Sequence, residues 1–421
     1  MILGKQSKGF EEFSTETFTS TTNLIKLLDK RNTYKEDLLK VFNVQEDKTE
    51  IFKIGNAKLL IDSIIDLDSK CEKIDVDKEI KNIYLKKLLE DEKATFEVFK
   101  ISNDFILSNN NNSDLLLVET RYSAKNDLLE YYNFSKFANY CRDKEYNDLI
   151  DTVKEYLRSK NIENNEELKL KLLYRCDDKK FFLRAITSTQ GYKDFGINFS
   201  IFVAIVSLGR YVEKSKSEIF IDNYTINDSE VYVSFRLMKE IKLPNNLSLS
   251  ISLILENDEI KRSAVSFNGV CKLSYSDKNN KHSEIYIKPK GLKKTDQSYA
   301  VDLLTYPHRG SVEKVYEKIT ELPSAIELFI KQVSEDAPKI SSIEKPNDVK
   351  EYIATKVKNS KKPEFKEFKE KILKILMRIS ADNIFNLFEL LREVDELFEH
   401  KDVLSRDFWR TKLYEALIER K

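Results

Sequence analysis

At 421 residues, with 71 basic and 71 acidic side chains, the chain is too long for one ordinary compact domain and carries no formal net charge. A zero balance removes any whole-molecule pull toward nucleic acid or an anionic membrane surface, so binding of that kind would need a local patch. Charged residues make up 34%, yet 41% are hydrophobic and 11% aromatic, which describes a folded chain with a heavily charged surface rather than a disordered one.

Composition excludes several chemistries. The four cysteines, at 71, 141, 176 and 271, form no CxxC pair and read as reduced thiols. Three histidines, at 282, 308 and 400, cannot build an HExxH site or a histidine-rich metal centre. With nine glycines and neither GxxxxGK[ST] nor GxGxxG, a P-loop or dinucleotide-binding site is not expected, because such loops need glycine for close backbone approach to phosphate. No cofactor and no metal is expected. There is no run of about 18 apolar residues and no apolar core of a secretion signal at the start, so a cytoplasmic protein without membrane contact is expected.

In chain order, the first twenty residues read as a loosely held polar arm. A helix is expected from about residue 22 on the spacing of Leu24, Leu27 and Leu28, and a short strand plus helix over 50–66. Residues 78–89 read as an amphipathic helix from Ile80, Ile83, Tyr84 and Leu88. Two strands, 95–101 and 114–122, follow around the asparagine-rich loop 108–113. A helix over 146–157 rests on Leu149, Ile150, Val153, Tyr156 and Leu157, and a strand on the alternation of Leu168, Leu170, Leu172 and Tyr174.

The centre is the most sharply patterned part. Residues 198–212 are apolar on nearly every helical face (Phe199, Ile201, Phe202, Val203, Ile205, Val206, Leu208), which calls for a helix buried between layers. Three period-two strands follow: Val231, Val233, Phe235, Leu237; then Leu247 through Leu255 with serines opposite; then Val265, Phe267, Gly269, Cys271, Leu273, Tyr275. Turn residues between them predict an antiparallel meander with one solvated face, edge strands near 218–221 and 284–288, and the buried helix as its cover. Beyond Pro289 the chain turns helical: 311–319, 324–333, a linker at 337–348 holding Pro338 and Pro346, a basic connection at 356–363, and an amphipathic stretch over 365–398. The predicted fold is α+β, with a mixed N-terminal region 1–175, a central antiparallel sheet with a packed helix over 176–310, and a helical region 311–421.

Three places invite a functional reading. Arg184 sits inside the apolar run 181–187 and must find a carboxylate, a cluster of carbonyls or an anionic ligand. Tyr306-Pro307-His308-Arg309-Gly310 closes the β region just before a helix, an ordinary turn or a phosphate site. The loop 288–294 carries Lys288, Lys290, Lys293 and Lys294, a solvated loop or a track for a nucleic-acid backbone. A fourth motif, Glu259-Ile260-Lys261, has the E-x-K spacing of metal-dependent nucleases, although no partner aspartate on a paired strand is evident.

The central region also resembles a family of phage/plasmid-like proteins. The residues are Phe182 or Leu183, Arg184, Ala185, Ser188 and Tyr192, matching an "fRAxxSxxY" segment, then Asn257 and Glu259, Cys271, and the His308-Arg309-Gly310 turn. The likeness spans 181–310. It departs in an extra residue before Tyr192, in Lys261 where the family has glycine, and in Lys272-Leu273 after the cysteine. That family has no assigned reaction, so no catalytic role carries over; the resemblance implies a phage or mobile-element setting. The expectation drawn from all this is a non-enzymatic protein that binds DNA, RNA or a nucleoprotein complex, with Arg184, Lys288, Lys290, Lys293, Lys294, His308 and Arg309 on phosphates. The alternatives are a scaffold in host–element conflict that docks proteins through the helices around 385–398, and a Mg²⁺-dependent nuclease.

Overall fold

The computed structural model describes residues 6–29, 32–90, 93–122, 124–130, 134–161, 166–260, 264–276, 281–289, 292–295, 298–300, 303–360, 368–398 and 403–419. It is an α+β protein built on two sheets.

The larger sheet is the expected meander. Strands Ile219–Ile226, Glu230–Leu237, Leu247–Asp258, Val265–Ser276 and His282–Ile287 run antiparallel, each paired with the next. The inward residues of that alternation, Leu249, Ile251, Leu253, Phe267 and Leu273 among them, share one core with the helix Ile197–Ser215. That helix is apolar all round because it is covered on all sides. Phe52 presses so close that a Cβ on Gly209 would lie 2.8 Å from its ring. The helix Leu322–Ser341 joins the same core. Phe329 from it occupies the space over Gly269, where a Cβ would lie 2.4 Å from the ring, so glycine in mid-strand is a packing requirement.

The serine side of the meander is not solvated, contrary to expectation. Ser250, Ser252, Ile254, Asn268 and Val270 are all buried. The last helix, Val403–Glu419, supplies polar cover: Arg406 lies over the Tyr232 ring, Arg410 over Tyr286, and Lys288 donates to Asp407.

The smaller sheet has six strands in the order Cys71–Glu79, Glu167–Arg175, Lys180–Ser188, Leu116–Thr120, Ala94–Val98, Ile83–Leu88. Its only parallel neighbours among the described strands are Lys180–Ser188 and Leu116–Thr120. One face packs against helices, including Ala124–Glu130 and Asn147–Asn161, to form a second core drawn wholly from residues 74–186.

The two cores therefore divide the chain at 69–71 and again at 188–195, and residues 71–188 form a lobe inserted into the larger one. The expected boundaries at 175/176 and 310/311 do not coincide with this division. Strand Lys180–Ser188 belongs to the inserted sheet, and the C-terminal helices share the core of the meander.

Other local differences have physical reasons. Residues 78–89 are not a helix: a strand end, a 3-10 turn (Ile80–Asn82) and strand Ile83–Leu88 occupy them. A bulge between Leu85 and Lys87 lets both Ile83 and Leu88 reach the core, and counted from Ile80 the positions of Ile83, Tyr84 and Leu88 imitate a helical stripe. The polar arm is tied down, since Gln6–Gly9 pairs with Ile219–Ile226. The expected linker is mostly helix: Pro338 is accommodated in the last turns of Leu322–Ser341, and Pro346 opens Pro346–Asn359 at a first-turn position that tolerates proline. The stretch 365–398 holds two helices, Lys369–Leu376 and Ile384–Glu396, the second capped by the side chain of Asn383. No helix among the described residues is long and apolar enough to cross a membrane.

Candidate functional site

Where the lobes meet, the inserted sheet turns its second face toward the larger one, and that face carries a polar cluster beside a small apolar one of Cys71, Leu173 and Phe182. Period two puts Leu170, Leu172 and Tyr174 on the helix side, so Lys171 points the other way, alongside Lys73 and Asp75 of the neighbouring strand. Arg184 joins them through a bulge. Leu183 pairs with Leu172 and Ala185 with Lys171, leaving Arg184 as the extra residue whose side chain is re-aimed into the seam.

Glu259 is the hub. Its carboxylate accepts from Arg184 Nη1 at 2.8 Å, from Lys73 Nζ at 2.8 Å and from the backbone N–H of Ile197 at 3.0 Å. The loop before helix Ile197–Ser215 comes close enough that a Cβ on Gly196 would lie 2.8 Å from Glu259 Oε1. Arg184 Nη1 also donates to the Asp228 carbonyl at 3.0 Å and to Ser229 Oγ at 3.1 Å. Asp228 in turn accepts from Tyr122 and pairs with Arg121 at 3.5 Å, both from the inserted lobe. Burial alone would push the Glu259 carboxyl up, but Lys73 and Arg184, with Lys171 behind them, hold it well below the usual carboxylate range.

Toward the rim, Lys171 donates to Asp194 Oδ2 at 2.6 Å and lies 3.7 Å from Asp75. Burial raises the Asp75 carboxyl against the pull of Lys171. Tyr192 stacks on His308, with ring centres 4.9 Å apart. His308 Nε2 meets Asn257 Oδ1 at 3.1 Å and Nδ1 meets the Lys193 carbonyl at 3.2 Å, so a neutral ring can donate to only one of the two. Burial lowers the pKa of His308 and keeps the ring neutral. Three buried polar atoms of this seam, Arg184 Nε, Tyr192 Oη and Asp194 Oδ1, have no hydrogen-bond partner among the described residues.

Arg184, Tyr192, Asn257, Glu259 and His308, spread over 125 positions of sequence, thus meet in one network. The expected phosphate ligands do not share an open surface. Arg184, Lys288 and His308 are buried, and the partners that hold them, Glu259, Asp407 with Asn268, and Asn257, come from the protein itself. Arg309 is exposed at the turn. Lys293 and Lys294 lie on strand Leu292–Thr295, and Lys290 lies outside the described residues. The nuclease expectation loses its carboxylate, since Glu259 is already held by two cations, and among the described residues no group of His, Cys, Asp and Glu is arranged to hold a metal. Lys261 lies outside the described residues. The docking stripe of the C-terminal helices is occupied as well: Phe388, Leu391, Val394 and Phe398 are buried in the large core, and only Phe385 is half exposed.

An open surface exists elsewhere. The helices Ser135–Asp143 and Asn147–Asn161 bury Ala138, Val153 and Leu157 against the inserted sheet and turn Phe137, Tyr140, Tyr146, Leu149 and Tyr156 to solvent. These are five of the thirteen large apolar or aromatic side chains exposed among the described residues. Tyr140 and Tyr146 stand edge to face at 5.9 Å, and Lys160 lies 5.6 Å over Tyr156. Lys136, Lys144 and Arg158 are exposed on the same helices or the turn between them. The spacing of residues 146–157 puts Leu149 and Tyr156 on the same stripe as Val153 and Leu157, and the structure leaves these two exposed at its edge.

Compared with known proteins, the chain matches no family model, no curated protein and no solved structure.

Proposed function

We propose that this chain is a non-enzymatic protein that binds single-stranded nucleic acid through the outer face of helices Ser135–Asp143 and Asn147–Asn161. The observation that carries this reading is the exposure of Tyr140, Tyr146 and Tyr156, close to half each, on two helices and a turn that also carry exposed lysine and arginine. Unpaired bases stack on such rings with little regard to sequence, and nearby cations meet the phosphates. Duplex DNA hides its base faces and offers these rings nothing to stack on. The phage or mobile-element setting rests on the resemblance alone. Four cysteines without disulfides support placing the protein in the reducing cytoplasm.

The field of the helical face is weak. Lys136, Arg142, Lys144, Lys154, Arg158 and Lys160 stand against Asp143, Glu145, Asp148, Asp151 and Glu155, six cations to five carboxylates. Stacking rather than charge must then supply most of the affinity, and the salt dependence should correspond to about one or two phosphates, a slope near 0.7 per phosphate.

The test is fluorescence anisotropy of a labelled oligothymidylate, alone and as a duplex with its complement. Tighter binding of the single strand, lost about tenfold or more in Tyr140→Ala and Tyr156→Ala, is expected, since each stacked base contributes about 1–3 kcal/mol. No binding at low salt, or binding indifferent to both tyrosines, would remove the proposal and leave this face to a protein partner.

A further inference from the structure

We infer that residues 71–188 form a hinged lobe, latched closed on the larger lobe by Glu259, and that unpairing Glu259 releases the lobe while both cores stay folded. The inference does not depend on what the helical face binds.

Four observations carry it. The two large apolar cores are separate, one confined to 74–186 and the other drawn from both sides of that segment, and the third cluster, Cys71, Leu173 and Phe182, has only three members. The chain passes between them only twice, at 69–71 and 188–195. The second crossing lies beside Gly191 and Gly196, two of the nine glycines in the whole chain. Side-chain bonds across the seam are polar: Lys73 and Arg184 to Glu259, Arg184 to Ser229 and the Asp228 carbonyl, Arg121 and Tyr122 to Asp228. Contacts of this kind give much less adhesion than apolar burial, because water competes for each partner once the seam opens.

The fourth observation concerns what closure leaves unmet. Arg184 Nε, Tyr192 Oη and Asp194 Oδ1 are buried without partners among the described residues of the closed joint. Opening hydrates all three, so part of what the ion pairs contribute is offset by the polar atoms that closure strands. A joint balanced in this way responds to a single change at its hub. Glu259→Gln is nearly isosteric, keeps an acceptor for the Ile197 N–H and removes the charge shared by Lys73 and Arg184.

The experiment is a distance measurement by pulsed electron resonance. Spin labels are placed at Glu155→Cys on the inserted lobe and Glu317→Cys on the larger one, both exposed, in a Cys176→Ser background that removes the one exposed native thiol. Trp409, the only tryptophan, is fully buried in the large core and reports whether that lobe remains folded. The parent protein should give one narrow distance. Glu259→Gln should add a second, longer population of comparable weight with unchanged tryptophan emission. Should Glu259→Gln disturb Trp409, Lys73→Met serves instead. It removes the less buried cation, leaves Arg184 paired, and should shift a smaller fraction the same way. A single unchanged distance in whichever variant keeps native emission would overturn the inference.

Discussion

Two parts of the molecule rest on the same large sheet and are held in different ways. The C-terminal helices merge with the sheet's apolar core through residues such as Phe388, Leu391 and Trp409, and the polar bonds between them and the sheet, Ser283 to Glu389 and Lys288 to Asp407, decorate a joint already closed by burial. The inserted lobe keeps most of its apolar residues for its own core, leaves only Cys71, Leu173 and Phe182 in a small cluster on the opposite face of its sheet, and meets the larger lobe's polar groups at Glu259 and Asp228. The first joint is an extension of folding. The second is a docking of two finished units, and its strength depends on a few charges.

That contrast can be broken or sharpened by substitution. The largest effect is expected on the apolar side. Phe329→Ala removes the ring over Gly269 and should cost about 3–5 kcal/mol, read as a lowered midpoint for the whole large lobe by Trp409 fluorescence in urea. In the seam, Glu259→Gln leaves Arg184 and Lys73 short of a countercharge. A cost at the low end of the range for unpaired buried ions, about 3 kcal/mol, is expected. It should appear as faster amide exchange in Cys71–Glu79 and Lys180–Ser188, with Leu247–Asp258 unchanged. Equal loss of protection on both sheets would mean that the lobes are one unit.

A smaller effect comes from pH. Burial lowers the pKa of His308 below its ordinary value, so below about 6.5 the unfolded chain binds a proton that the folded protein resists. Stability should therefore fall as pH drops from about 6.5 through the folded-state pKa of this group, and His308→Gln should flatten that part of the profile in chemical denaturation. The carboxylate of Glu259 acts lower. Its depressed pKa contributes stability above the ordinary glutamate range and loses it only as the pH falls toward the folded value, so the latch is intact wherever His308 titrates. Smallest of all, Arg392→Ala breaks exposed pairs with Glu389 and Glu396 on a C-terminal helix and should change stability by no more than about 0.5 kcal/mol in the same assay.

Much of this architecture could be read from residues alone. Unbroken alternation gave the meander, because a face packed on Phe199 to Leu208 must be apolar at every second position. The helical wheel of 198–212 gave its cover. The inserted lobe escaped notice because its boundary falls inside the apolar run 181–187, where nothing in composition distinguishes a strand of one core from a strand of the next. The seam was half legible. Arg184 announced that it needed a partner, and Glu259 was noticed for the wrong chemistry. Lys171 gave no signal, since alternation assigns it to a solvated face that a second lobe happens to cover, and Lys73 and Asp194 lie where no strand or helix was expected. Lys288, one of the cations expected on phosphate, is buried for the complementary reason: a one-dimensional charge run does not show the carboxylate, here Asp407, that folds back onto it.

Native-state hydrogen exchange of the unmodified protein, followed as denaturant is raised through concentrations too low to unfold it, tests the two-unit account most directly. Amides of Glu167–Arg175 and Lys180–Ser188 should open together at one free energy, and those of Leu247–Asp258 and Val265–Ser276 together at a distinctly different one. One common opening for all four strands would contradict it.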